Sequence, residues 1–187
     1  MSAAAIATAL GYVALLCLGS YDMPSVIRRS PLYTCTGWDS VAPAGRRKGK
    51  RPRFLIHQDA DSNYAPLFNL TRRIHKRFAR RHGYALQQHV GYASGWPYAS
   101  INRVWALSKA ASDPGRFDWF VYIDADAVVW DPRCTFEELI ENTDSAEHAL
   151  LICHDPMGRR EVRAHVNSGV FLANLRHPLL APLACTW

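Results

Sequence analysis

Apolar positions along this chain fall into two kinds of run, and their alternation predicts the fold. Trp119-Phe120-Val121-Tyr122-Ile123 is an unbroken stretch of large apolar and aromatic residues, the pattern of a strand covered on both faces in a parallel sheet. Shorter runs at Phe54 to Gln58, Tyr84 to Val90, Ala149 to His154 and Val166 to Leu175 read as further strands. Between them, Tyr64 to His82 carries Tyr64, Leu67, Phe68, Thr71, Ile74, His75 and Phe78 at spacings of three and four, which predicts an amphipathic helix. Ser62 or Asn63 is placed to cap its start, Pro66 suits its first turn, and Gly83 suits a left-handed stop. A second helix is predicted over Ile101 to Ala111, ended by Ser112-Asp113-Pro114-Gly115, and a short third over Thr135 to Asn142. Leu179 to Trp187 shows no recognisable element. Strands alternating with helices at this spacing predict an α/β fold with a mostly parallel sheet flanked by helices.

The longest apolar strand ends in Asp124-Ala125-Asp126. A carboxylate inside such a strand is costly unless paired or metal-bound, so the pair belongs where the strand emerges. Open α/β sheets bind ligands at that edge. An extended backbone turns Asp124 and Asp126 to the same side, and the small Ala125 leaves room for a ligand. Two hard oxygen donors suit Mn²⁺ or Mg²⁺. Asp59-Ala60-Asp61 repeats the spacing after a shorter strand that delivers it into a loop, so spacing alone does not choose between the pairs. The apolar context before and after Asp124 and Asp126 does.

With 187 residues, 49% hydrophobic and 20% charged, the chain has the makings of one globular domain and not of a disordered polymer. Its net charge of +6 favours anionic partners, but the positive charge is concentrated in two places. One is the run Gly45-Arg46-Arg47-Lys48-Gly49-Lys50-Arg51-Pro52-Arg53, set among prolines between residues 20 and 53, which reads as a solvated stem. The other is the outer face of the first helix, with Arg72, Arg73, Lys76, Arg77, Arg80 and Arg81, read as solvent-exposed charge. No aromatic stacking pattern or reader motif accompanies either, so no nucleic acid is expected.

Ala3 to Leu18 is apolar or small and uncharged, and residues 1–19 are expected to be a signal anchor or a signal peptide. No Lys or Arg precedes this segment, and Arg28 and Arg29 follow it. Entry into the secretory pathway is the expectation, with membrane association if the segment is kept and secretion if it is cleaved. Of five cysteines none forms a CxxC pair, and disulfides and free thiols remain equally open. Asn69-Leu70-Thr71 is a possible glycosylation acceptor.

Trp119 to Pro132, WFVYIDADAVVWDP, resembles the DxD segment of nucleotide-sugar glycosyltransferases of the GT-A type, and among these it is most similar to glycosyltransferase family 34, the galactosyl-, mannosyl- and xylosyltransferase group. Arg81-His82-Gly83-Tyr84, Arg103-Val104-Trp105-Ala106-Leu107 and His165-Val166-Asn167-Ser168-Gly169-Val170-Phe171-Leu172 agree with that family in order and spacing. The likeness spans about Phe54 to Pro178. It implies a Rossmann-like GT-A nucleotide-sugar-binding domain over residues 54–187, partial at its C-terminal end, where the family carries a further metal ligand and acidic residues. It implies Mn²⁺- or Mg²⁺-dependent transfer of a sugar from a nucleoside diphosphate sugar to a glycan hydroxyl with retained configuration, in the Golgi membrane with a lumenal domain. Asp124 and Asp126 would be the metal ligands. Arg103, standing where the family has Lys, would clamp phosphates or remain a surface charge. Ala125, with His57 and Gln58 at the end of the first strand, would face the nucleotide. Asn167, Ser168 and Gly169 would meet donor or acceptor sugar, unless they form only a turn. No catalytic nucleophile is assigned. A non-catalytic nucleotide- or nucleotide-sugar-binding fragment and a metal-dependent phosphohydrolase are the alternative readings.

Overall fold

The computed structural model of the chain describes residues 13–14, 51–92, 99–113, 115–154 and 166–186. Its elements in order are β1 (Val13–Ala14), β2 (Phe54–Ala60), α1 (Ala65–His82), β3 (Ala85–Val90), a 3-10 turn (Ala99–Ile101), α2 (Asn102–Ala111), β4 (Trp119–Ile123), α3 (Phe136–Asn142), β5 (Leu150–His154), β6 (Val166–Asn174) and α4 (Leu180–Thr186). The strands form one sheet in the order β1-β5-β6-β4-β2-β3. β3, β2 and β4 run parallel, and β6, β5 and β1 continue the sheet antiparallel.

β4 is buried along its whole length, as its composition predicts, and its alternating side chains serve two cores. Trp119, Val121 and Ile123 pack with Phe54, Ile56, Leu151 and Leu172 beneath Phe78 and Ala79 of α1 and Phe136, Leu139 and Ile140 of α3. Phe120 and Tyr122 point the other way, joining Ile152, Phe171 and Ala173 beneath Ala106, Leu107 and Ala110 of α2 and Leu180 and Ala184 of α4. The result is a three-layer sandwich with the sheet in the middle.

Gly83 adopts φ +74° and stops α1 in the left-handed conformation its sequence predicts. The start of α1 departs from expectation. Neither Ser62 nor Asn63 caps it; Asp61 Oδ1 accepts from the backbone N–H groups of Asn63 and Tyr64, both at 2.9 Å. β2 also runs two residues further than its apolar run, through Ala60, because β3 pairs with it as far as Ala60↔Val90. Asp59 therefore lies in a strand and is buried, not in a loop. At the other end, the stretch after Leu179 that showed no recognisable element is α4, which docks Leu180 and Ala184 on the core. α3 begins with Thr135 and Glu138 in a reciprocal capping box.

Among the described residues no helix is long and apolar enough to cross a membrane. Val13 and Ala14 bridge β5 at the sheet edge; the rest of the N-terminal apolar segment, and the stem up to Lys50, lie outside the described residues. The end of the basic run is held down. Arg51 pairs with Glu137 at 2.6 Å, and Arg53 joins Arg176 around the buried Asp118. Cys134 and Cys153 are free thiols. Thr71 of the sequon is buried inside α1 and donates to the Ala125 carbonyl at 2.8 Å.

Candidate functional site

The strand order turns at β2, with β3 on one side and β4 on the other. Outside the carboxyl ends of two such strands an open sheet leaves a crevice. A cavity of about 400 Å³ lies there, lined by Asp59, Asp61, Tyr64, Tyr92, Arg103, Asp124 and Asp126, with Ala60, Ser100, Tyr122 and Ala125 completing the wall.

Asp124 follows the last residue of β4 and is fixed from several sides. Its backbone N–H donates to the Gly169 carbonyl at 2.7 Å, and a turn follows at once, with the Ala127 N–H donating to the Asp124 carbonyl at 3.2 Å. Its Oδ1 accepts from the Tyr122 hydroxyl at 2.7 Å and lies 3.4 Å from the Arg103 guanidinium. Oδ2 accepts no hydrogen bond among the described residues. Burial pushes the Asp124 carboxyl above its ordinary range; Asp126 and Asp59 add to that, against the pull of Arg103 and Tyr122. Asp126, two residues on, is exposed at the cavity.

Tyr122 ties the two acidic strand ends together. Its hydroxyl lies 2.8 Å from Asp59 Oδ1 and 2.7 Å from Asp124 Oδ1. One hydroxyl proton serves one carboxylate at a time. Burial, with the charges of Asp59 and Asp124, raises the phenol well above its usual range, so it stays a donor. Arg103 lies over the Tyr122 ring with its guanidinium carbon 4.8 Å from the centroid. From α2 it also reaches the carbonyl and hydroxyl of Ser168, both at 2.8 Å, and the Ser100 carbonyl at 3.1 Å. It thus joins three segments at the cavity wall.

The residues expected at the site from sequence divide into three groups. Asp124, Ala125, Asp126 and Arg103 line one cavity. Asn167, Ser168 and Gly169 open β6 beside it and act on Asp124 and Arg103: the Gly169 N–H donates to Asn167 Oδ1 at 2.8 Å, and a Cβ at Gly169 would lie 2.7 Å from Asp124 Oδ2. His57 and Gln58 are corrections, for they stand behind the wall. His57 is 1% exposed, faces Asp59 Oδ2 at 3.3 Å and stacks with Phe120 and Tyr122. Gln58 is fully buried, donating to Thr71 and to the Asp124 carbonyl and accepting from Gln88. They miss the cavity because β2 continues two residues past them. Asp59 and Asp61, the pair passed over in favour of Asp124 and Asp126, also line the cavity, and Tyr122, Tyr64 and Tyr92 are lining residues that the sequence does not single out as site residues. Of the three tyrosines Tyr122 had a usable signal, since it sits two positions before Asp124 and shares its strand face.

The fold has a solved counterpart. The chain is similar to the crystal structure of a glycosyltransferase involved in the glycosylation of the major capsid of PBCV-1, with a TM-score of 0.56 at 17% sequence identity, over 71% of this chain and 64% of that chain. The two chains share a mixed α/β fold. No family model and no curated protein sequence matches the chain. At this identity the likeness concerns the α/β architecture. The chain spans 64% of the length of that solved chain, less than two thirds.

Proposed function

We propose that this chain binds a nucleoside diphosphate sugar in the cavity at the ends of β2 and β4 and belongs to a metal-dependent, retaining glycosyltransferase acting on a glycan hydroxyl. The single observation carrying this reading is that Asp124 and Asp126 both line that cavity together with Arg103. The GT-A resemblance of the segment around them, and of family 34 in particular, supports the choice of chemistry. The glycosyltransferase fold of the solved neighbour supports it independently.

The donor set fits a hard divalent cation such as Mn²⁺ or Mg²⁺. Two carboxylates flank one opening, one of them has an oxygen free of hydrogen bonds among the described residues, and burial penalises its charge, a penalty that a cation relieves. Among the described residues no group of three metal-ligating side chains gathers, so donor phosphates and water would complete the shell. Such a cation supplies charge neutralisation to the departing diphosphate. The chain's own residues do the rest. Asp124 and Asp126 would hold it, the Tyr122 hydroxyl fixes the Asp124 carboxylate, and Arg103, released from Asp124, offers a bidentate fork to phosphate oxygens. Asn167 and Ser168 stand beside the cavity for sugar hydroxyls, and Ala125 leaves the backbone accessible. A secretory, Golgi-membrane setting follows from the apolar N-terminal segment and the resemblance.

Calorimetric titration of the full chain with UDP and with GDP, each with and without Mn²⁺, tests the reading. Metal-dependent heat with one nucleotide is expected, lost in Asp124→Ala and Asp126→Ala. Equal heats in those variants and in the parent chain would refute it.

A further inference from the structure

Every arginine among the described residues outside α1 is ion-paired: Arg51 with Glu137, Arg53 and Arg176 with Asp118, Arg103 with Asp124, Arg116 with Asp113, and Arg133 with Asp131. None of the five arginines of α1 is paired with a described residue, and α1 contains no Asp or Glu. Arg72 lies against Asn69 and the Phe68 ring, and neither neighbour neutralises it. Arg72, Arg73, Lys76, Arg77, Arg80 and Arg81 are all exposed. Meanwhile Phe68, Thr71, His75, Phe78 and Ala79 hold the opposite face of the helix against the core.

The cations come as three doublets four residues apart. With a rise of 1.5 Å per residue the doublets repeat every ~6 Å, and the track runs for ~14 Å along a rigid helix. At 100° per residue all six fall within half the helix circumference, opposite the buried face. Unpaired like charges at i, i+4 destabilise a helix; Arg80 and Arg81 sit in the last turn, where the helix dipole favours them, but the doublets ahead of it have no such support and need another account. A pitch of ~6 Å matches a linear polymer bearing about one negative charge per monomer, and Lys/Arg-rich runs of this kind suit heparin-like chains. A bilayer is less suited, because the apolar face of α1 is already spent on the core and cannot insert.

We infer that the outer face of α1 is a docking track for a linear polyanionic polysaccharide, sulfated or carboxylated. The choice of a glycan rests on the proposed sugar transfer. The track starts about two helical turns from the cavity, since Tyr64 at the head of α1 lines that cavity. A polymer held there extends past the site.

Heparin affinity of the full chain, measured by calorimetry across a salt series, tests this against two variants. Arg72→Gln/Arg73→Gln/Lys76→Gln/Arg77→Gln removes charge from α1; Arg46→Gln/Arg47→Gln/Lys48→Gln/Lys50→Gln removes the same charge from the stem. The α1 variant is expected to bind heparin at least about tenfold more weakly with a shallower salt slope, the stem variant much less so. Unchanged binding by the α1 variant, or a loss confined to the stem variant, overturns the inference. So does tighter binding to duplex DNA or to phosphatidylserine vesicles than to heparin. Titration with UDP and Mn²⁺ on the same proteins separates the two sites. Nucleotide heat retained by the α1 variant shows it folded; nucleotide heat missing from every protein while heparin binds through α1 counts against the donor site alone.

Discussion

Gly169→Ala is a one-carbon test of how the Asp124 carboxylate is held. The new Cβ would lie 2.7 Å from Asp124 Oδ2 and 3.0 Å from Asn167 Oδ1. Carbon–oxygen contacts close no nearer than about 3.3 Å, so something must yield by roughly 0.6 Å. A free carboxylate would swing aside at little cost. This one is tethered, because Oδ1 takes the Tyr122 hydroxyl at 2.7 Å and faces Arg103, while the Asp124 N–H is bonded to the Gly169 carbonyl at 2.7 Å. Relief therefore breaks the Tyr122 bond or moves β6 off β4. Losing a hydrogen bond to a charged group costs about 1.5–3 kcal/mol, equivalent to roughly a ten- to hundredfold loss in affinity. The expected result is that metal-dependent nucleotide binding, read by calorimetry, falls by at least about tenfold in Gly169→Ala. Val170→Ala, one residue along the same strand and packed on the other core, serves as the control for a general disturbance of β6. Affinity in Gly169→Ala equal to the parent, or an equal fall in Val170→Ala, would refute the tethering argument.

Two further predictions concern stability and fall in separate pH windows. Asp118 is buried beneath Arg53 and Arg176; burial alone would raise its carboxyl, but hydrogen bonds from both arginines outweigh this and hold it below the usual range. Its contribution is therefore complete above about pH 4 and lost as pH falls through the lower folded value, and Asp118→Asn should cost about 2–3 kcal/mol in urea unfolding at neutral pH with a flatter acid limb. His75 is fully buried with neither ring nitrogen hydrogen-bonded among the described residues, and burial pushes it down to about 4. Stability should then decline as pH falls from about 6.5 toward 4, by up to ~1.4 kcal/mol per unit, and His75→Phe should remove that slope if the ring is accommodated. An unchanged slope in a folded His75→Phe would show that the unfolded chain does not take up the proton in this range.

The architecture was legible because periodicity reports burial. β4 reads as a strand covered on both sides, and its alternate residues do serve two cores; α1 reads as a helix and ends at Gly83 as expected. The ends of elements were less legible, since partners outside the segment set them. β2 is extended by β3, whose next residue, Gly91, donates its N–H to the Ala60 carbonyl at 2.8 Å. α4 carries Pro182 and too few residues for a clear period, and it is identified only by what it packs against.

The two Asp-Ala-Asp triplets show where spacing stops being informative about a site. Both stand at the carboxyl ends of strands, and both reach the same cavity, yet they do different work because their strands end at different points. β4 stops at Ile123, where the Asp124 N–H turns to Gly169 and the chain bends, so Asp124 and Asp126 stand together past the strand end. β2 continues through Ala60, so the strand edge falls inside its triplet. Asp59 is drawn into the wall against His57 and Tyr122, while Asp61 is left outside to receive the first N–H groups before α1. A shift of two residues in strand length thus separates a pair of carboxylates standing together past the strand end from a pair divided between core and cap. That shift is set by hydrogen bonds from β3 and β6, some thirty and forty-five residues along the chain, and no local reading of either triplet contains it.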